Sequence, residues 1–203
     1  AGGNVLATTT TDANGVYNFT DLAPGKYKVT FVLSNPDYAF TAPNAVVNDD
    51  FRDSDADPNT GMTGLYDISS GENETTIDAG IYIPAKIGDF VWLDTNKNGV
   101  QDADEKGVEG VSVRLTSNRF AGQEFATTDA NGMYMFPNLR PGDYQVEFVL
   151  PNGYTRTTAN TGDDSKDSDA NVATGKTGTY TLTSGQINNT VDAGIYPSAT
   201  CSI

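Results

Sequence analysis

At 203 residues, with 21 Gly, 10 Tyr and 9 Phe, the chain is long enough for one or two domains with a real core and favours strands and turns over helices. Its formal charge of −15 excludes nucleic acid and anionic membrane surfaces as partners, because both would repel it, and makes metal cations the natural counter-charge. Histidine is absent and cysteine occurs once, at Cys201; the commonest general base, an internal disulfide and a Cys–His nucleophile are all ruled out, and no enzyme is expected.

In chain order, the first signal is a duplication. Residues 12–33 read DANGVYNFTDLAPGKYKVTFVL and recur at 129–150 as DANGMYMFPNLRPGDYQVEFVL. Asp12, Gly15, Tyr17, Phe19, Leu22, Pro24, Gly25, Tyr27 and Val29 all return. Further on, Asp49, Asp50, Asp53 and Asp55 return as Asp163, Asp164, Asp167 and Asp169, and DAGIY at 78–82 returns at 192–196. Two copies of one module follow. Residues 1–84 form an incomplete first module, 85–197 a complete second one, and 198–203 a tail, with the boundary at Ile83–Ala85. The first copy starts near the equivalent of Asn118 and lacks the counterpart of residues 86–117. Natural proteins avoid an open sheet edge and core face. The chain is therefore expected to be a piece of a longer array, or to receive the missing strands from another polypeptide.

The second module opens with KIGDFVWL, a β-branched and aromatic strand, and reaches VSVRL, where Val111, Val113 and Leu115 share one face. Between them lies DTNKNGVQDADE, which fits the twelve-residue calcium-loop pattern: Asp94, Asn96 and Asn98 at positions one, three and five, Gly99 at the turn, the Val100 carbonyl at seven, Asp102 at nine and Glu105 at twelve. A plain turn needs neither the acid at nine nor the Glu at twelve. The flanks are strands rather than an EF-hand's helices. Downstream, Asn131-Gly132 and Pro141-Gly142 are tight turns bracketing MYMF, so Asp12 and Asp129 read as hairpin residues rather than ligands. Tyr144, Val146, Phe148 and Leu150 alternate with Gln145, Glu147 and Val149 as a half-buried strand. About seven short strands per module predict an antiparallel sandwich, with Trp92 in its core.

With IGDFVWLDTNKNGVQDADEKGVEGVSVRL, TDANGMYMFPNLRPGDYQVEF, DDSKDSDA and VDAGIY in one order, the second module resembles the B-type repeats of the serine-aspartate family of bacterial surface adhesins, relatives of the collagen-adhesin B (Cna B-like) modules. The resemblance covers residues 86–196, and residues 1–82 for the part present. It implies an all-β fold of tandem, prealbumin-like, Greek-key sandwiches in an extracellular protein, at a bacterial surface or secreted. It also implies a calcium-binding spacer that holds a ligand-binding head away from the cell.

On this resemblance Asp94, Asn96, Asn98, Val100, Asp102 and Glu105 match the family's first calcium site. The acidic loop DDSKDSDA suggests a second, with Asp163, Asp164, Asp167 and Asp169 as donors and Asp89 and Asp192 joining from the terminal strands; such carboxylate density is costly without a cation. The first module keeps Asp49, Asp50, Asp53, Asp55, Asp57 and Asp78 but no first loop. Related modules carry a Lys to Asn or Asp isopeptide bond, which Lys86 and Asp192 invite. Strict alternation turns Glu147 outward, however, and leaves no buried acid to shuttle its proton. The expected partners are neighbouring repeats or an adjacent subunit. Two rival readings remain: a filament subunit whose first module is completed by a neighbour, and an adhesive module, which would need an exposed apolar or aromatic patch.

Overall fold

The computed structural model describes residues 4–43, 53–118 and 122–199, and these contain strands and no helix. The chain folds as two units, one of residues 1–34 with 40–80 and one of residues 35–39 with 81–203. The strands are β1 (Gly25–Tyr27), β2 (Ala39–Phe40), β3 (Tyr66–Ile68), β4 (Ile81–Tyr82), β5 (Ala85–Leu93), β6 (Ser112–Ser117), β7 (Glu124–Thr127), β8 (Met133–Leu139), β9 (Gly142–Val149), β10 (Tyr154–Arg156), β11 (Lys176–Leu182), β12 (Ile187–Asn188) and β13 (Ala193–Pro197).

The second unit is a sandwich of two sheets. In one, β5 is central: β8 pairs with it antiparallel, placing Ile87 opposite Phe136 and Asp89 opposite Tyr134, while β12 and β13 run parallel to its other edge and β10 lies beyond β13. In the other, β11, β9, β6 and β7 follow one another antiparallel. Strict alternation on β6 and β9 buries Val113, Leu115, Tyr144, Val146 and Phe148, as period-two sequences do when one face meets a second sheet. Glu147 faces outward and pairs with Arg114 across the strands, and Lys86 is exposed. β5 reads almost continuously apolar and is buried along much of its length. Its Gly88 lets β8 approach, for a Cβ there would lie 2.3 Å from the Tyr134 carbonyl oxygen. Trp92 is fully buried. Strands beyond the expected seven are the short β10 and β12, whose two or three residues are too few to show a period.

The first unit repeats fragments of this plan. β1 pairs with β3 as β9 pairs with β11. Tyr27 donates its hydroxyl to the Ala23 carbonyl at 2.5 Å, as Tyr144 does to Arg140 at 2.6 Å. The Asp12 and Asp129 carboxylates each accept two backbone N–H groups of their own turns, which is the hairpin role read from DANG. Among the described residues, the connected apolar core belongs entirely to the second unit.

Candidate metal centre

The loop from β5 to β6 is built around Asp94, which is wholly buried. A buried carboxylate is costly unless both oxygens are satisfied. Oδ1 accepts the N–H of Lys97 at 2.5 Å and of Asn98 at 3.2 Å. Oδ2 accepts the N–H of Gly99 at 2.9 Å and the Thr157 hydroxyl at 2.5 Å. The backbone curls round the carboxylate through positive φ at Lys97 (63°) and Gly99 (81°). At Gly99 a Cβ would lie 2.5 Å from the Thr158 carbonyl oxygen, so only glycine fits there.

The remaining loop positions point the same way. Asn96 Oδ1 accepts the Asn98 N–H at 3.0 Å and Asn98 Oδ1 the Val100 N–H at 2.7 Å, while both Nδ2 groups donate to Asp102 Oδ2, at 2.7 and 2.9 Å. Glu105 reaches back, accepting from the Thr95 N–H at 2.7 Å and the Asp102 N–H at 3.1 Å. Positions one, three, five, nine and twelve are thus drawn into a single turn. Among the described residues no three carboxylates or thiols form a metal-holding group, and the donor set here is mixed carboxylate and amide. Its chemistry fits a hard divalent cation: every available donor is oxygen, and rotating the Asn96 and Asn98 amides would present their oxygens beside Asp102 in place of nitrogen.

The second acidic loop is stitched to the first. Gln101 donates its N–H to Lys166 O at 2.7 Å, Ser168 to Gly99 O at 3.2 Å, and Thr161 Oγ1 to Gly99 O at 3.0 Å. Asp167 is buried beside Val100, with Oδ2 accepting the Gly162 N–H at 2.7 Å and Oδ1 without a partner. Asp163 is exposed and closes a turn on the Ser165 N–H and hydroxyl, which hold its carboxyl below the usual range. Asp164 is exposed.

Asp89, Asp169 and Asp192 form a separate, interior group. Asp169 N–H donates to Asp192 O at 2.9 Å and Asp192 N–H to Asp169 Oδ2 at 2.7 Å. Phe90 N–H donates to Asp192 Oδ1 at 3.1 Å, and Oδ2 has no partner. Burial, reinforced by Asp89 and Asp169, pushes the Asp192 carboxyl up to about 9. Burial also pushes Asp169 and Asp89 up to about 6. Two tyrosines enclose the group: Tyr134 donates to Val191 O at 2.7 Å, and Tyr180 hydrogen-bonds Asp169. Together with Thr157 and Thr161, these are the members that the acid count misses. The recurrence of both tyrosines in the first repeat, as Tyr17 and Tyr66, is the signal that marks them.

The first unit repeats part of this group, without a counterpart of Asp89 and at half-buried positions. Asp55 accepts from the Tyr66 hydroxyl at 2.8 Å and the Asp78 N–H at 2.9 Å, Asp55 N–H donates to Asp78 O at 2.9 Å, and Tyr17 donates to Ile77 O at 2.7 Å. Asp53 is buried with Oδ1 unpartnered. Asp57 closes an exposed turn on Asn59 and Thr60. Asp49, Asp50 and Cys201 lie outside the described residues.

One sandwich, with a second unit that repeats fragments of its plan, defines the class: a repeated all-β structural module. The family model for the SdrD B-like domain matches residues 1–81 and again 85–195. The chain is 41% identical over 203 residues to serine-aspartate repeat-containing protein D of Staphylococcus aureus strain MW2, and 40% identical over 203 residues to serine-aspartate repeat-containing protein F of Staphylococcus epidermidis. In both, 99% of this chain is covered, but only 14% and 11% of the relative's length. Among solved structures it is similar to GBS52, the minor pilin of Streptococcus agalactiae, at 12% identity and a TM-score of 0.39, covering 71% of this chain and 68% of that one. The chain belongs to the SdrD B-like domain family. It is a structural repeat module of an extracellular bacterial protein, at the cell surface or secreted.

Proposed function

We propose that this chain is a calcium-stabilised, non-enzymatic spacer: repeat modules that extend a surface protein and are stiffened by ions held in their acidic loops, with neighbouring repeats as partners. The observation that supports it most is the Asp94 turn, in which Asn96, Asn98 and Asp102 meet side chain to side chain while Glu105 folds back over them. Asp94, Asn96, Asn98, Asp102 and Glu105, with the Val100 carbonyl, would hold the ion. Magnesium, which prefers tight octahedral shells and retained water, fits a twelve-residue loop less well.

The ion would act by linkage, since the folded loop binds it and the unfolded chain does not. At ~100 times Kd the folded state gains about 2.7 kcal/mol per site, a sizeable part of a domain's stability. Calorimetric titration of calcium into the chelator-treated chain is the test: saturable binding that Asp94→Ala with Glu105→Ala removes supports the reading, and heat no larger than dilution contradicts it.

A further inference from the structure

Asparagine is followed by glycine at Asn14, Asn98, Asn131 and Asn152. Such a step is prone to ring closure, because glycine has no side chain to keep its nitrogen from the preceding asparagine Cγ. All four asparagines are exposed, and their glycines share one backbone region, with φ of 83° at Gly15, 81° at Gly99 and 87° at both Gly132 and Gly153. Neither exposure nor backbone region separates the four.

What the glycine nitrogens touch does separate them. Gly15 N–H donates to Asp12 O at 3.0 Å, Gly132 N–H to Asp129 O at 2.9 Å and Gly99 N–H to Asp94 Oδ2 at 2.9 Å. In each of these turns the same aspartate holds two more N–H groups on Oδ1: those of Asn14 and Val16 on Asp12, Asn131 and Met133 on Asp129, and Lys97 and Asn98 on Asp94. The Asn98 side chain is occupied as well, accepting from the Val100 N–H and donating to Asp102. Asn152 follows Val149, Leu150 and Pro151, with no aspartate among them. Among the described residues, neither the Gly153 N–H nor the Asn152 side chain makes a hydrogen bond, and a Cβ on Gly153 would meet nothing within 4 Å.

We infer that Asn152 is a site of spontaneous deamidation, and that Asp12, Asp94 and Asp129 guard the other three steps against it. At Asn152 the Gly153 nitrogen gives its proton to hydroxide and bonds to Asn152 Cγ. The Cγ–Nδ2 bond breaks, and the nitrogen leaves with one proton more, as ammonia. Water then opens the five-membered imide at either carbonyl, leaving aspartate or isoaspartate. One water is consumed and one ammonia released, with nothing oxidised or reduced. At the guarded steps the glycine N–H must first leave its acceptor, so ring closure there waits on local opening of the turn. The modified turn bears on the end of β13: Gly153 O accepts the Ser198 N–H at 2.8 Å, and the Thr155 and Ser198 hydroxyls meet at 2.7 Å. Both products put a carboxylate at residue 152, and isoaspartate lengthens the main chain there by one methylene, which loosens the grip on Ser198.

The test ages the 203-residue chain at mildly alkaline pH, folded and in concentrated urea, and follows each step by peptide mapping that separates asparagine, aspartate and isoaspartate. In the folded chain Asn152 should convert at least about tenfold faster than Asn14, Asn98 or Asn131, and in urea the four rates should lie within about threefold of one another. Amide hydrogen exchange at Ser198 should quicken as product accumulates. In Asp94→Ala, Asn98 should come within about threefold of its urea rate while Asn131, in the same unit, stays slow and reports that the unit is folded. Equal rates in the folded chain, or Asn152 leading by the same factor in urea, would overturn the assignment. Asn98 unmoved in the variant would overturn the part given to Asp94, and Ser198 unmoved the part given to the turn. Should Asn131 accelerate with Asn98, the unit has opened, and the folded and urea rates of the parent chain decide.

Discussion

Asp94 and Asp192 are both wholly buried carboxylates, and they are held in opposite ways. Asp94 is saturated by three backbone N–H groups and a hydroxyl; Asp192 leaves one oxygen bare beside other acids. Removing the first strands its donors. Asp94→Ala is expected to lower the unfolding free energy by roughly 2–4 kcal/mol even in chelator, and Thr157→Val by about 1–2 kcal/mol, both measured by urea melts. Asp192 is expected to make stability depend on pH. Its folded value, about 9, is raised above the ordinary 3.8. The stability it contributes is therefore fully present below the ordinary value and is lost as pH rises through the folded one. In chelator the melting midpoint should fall between about pH 4 and 9, and Asp192→Asn, which keeps an oxygen for the Phe90 N–H, should flatten that fall. A midpoint that rises with pH over this range would contradict the placement of the carboxyl.

At the scale of elements, one turn serves two surroundings. Gly15 and Gly132 share a conformation but not a neighbour, so Gly132→Ala meets both positive-φ strain and the β5 backbone, whereas Gly15→Ala meets strain alone. The first is expected to cost roughly 3 kcal/mol or more and the second about 1 kcal/mol, in denaturant melts of the single variants. Equal costs would mean that the close approach at Gly132 carries no energy. The same contrast shows what was readable in the sequence. Alternation on β6 and β9 is local, so their buried faces could be assigned from spacing, and every position of the Asp94 loop lies within twelve residues of the next. The Asp94 to Thr157 bond spans 63 residues, and the exchange between Asp169 and Asp192 spans 23. No periodicity reports such contacts. The parallel pairing of β12 and β13 with β5 was hidden for the same reason, since strand direction is set by the connection and not by the pattern.

For the molecule as a whole, duplication was the most legible feature, because paired motifs such as DANG and DAGIY need no folding rule to be seen. Less visible was how the acids divide between surface turns and interior clusters. Asp163 and Asp57 look like Asp169 and Asp55 in sequence, yet the first pair close exposed turns, while Asp169 is buried and Asp55 half-buried, each exchanging hydrogen bonds with a distant aspartate, Asp192 or Asp78. The proposed spacer should depend on cations for stiffness, since the charge of −15 opposes compaction wherever it is not neutralised. The measurement that bears most directly on this is the melting of the 203-residue chain in saturating calcium and in excess chelator, beside the Asp94→Ala, Glu105→Ala variant. Calcium should raise the midpoint of the second unit by roughly 10 °C or more, and the variant should lose that rise. A midpoint unchanged by calcium in the parent chain, or raised equally in the variant, would contradict an ion held in the Asp94 loop.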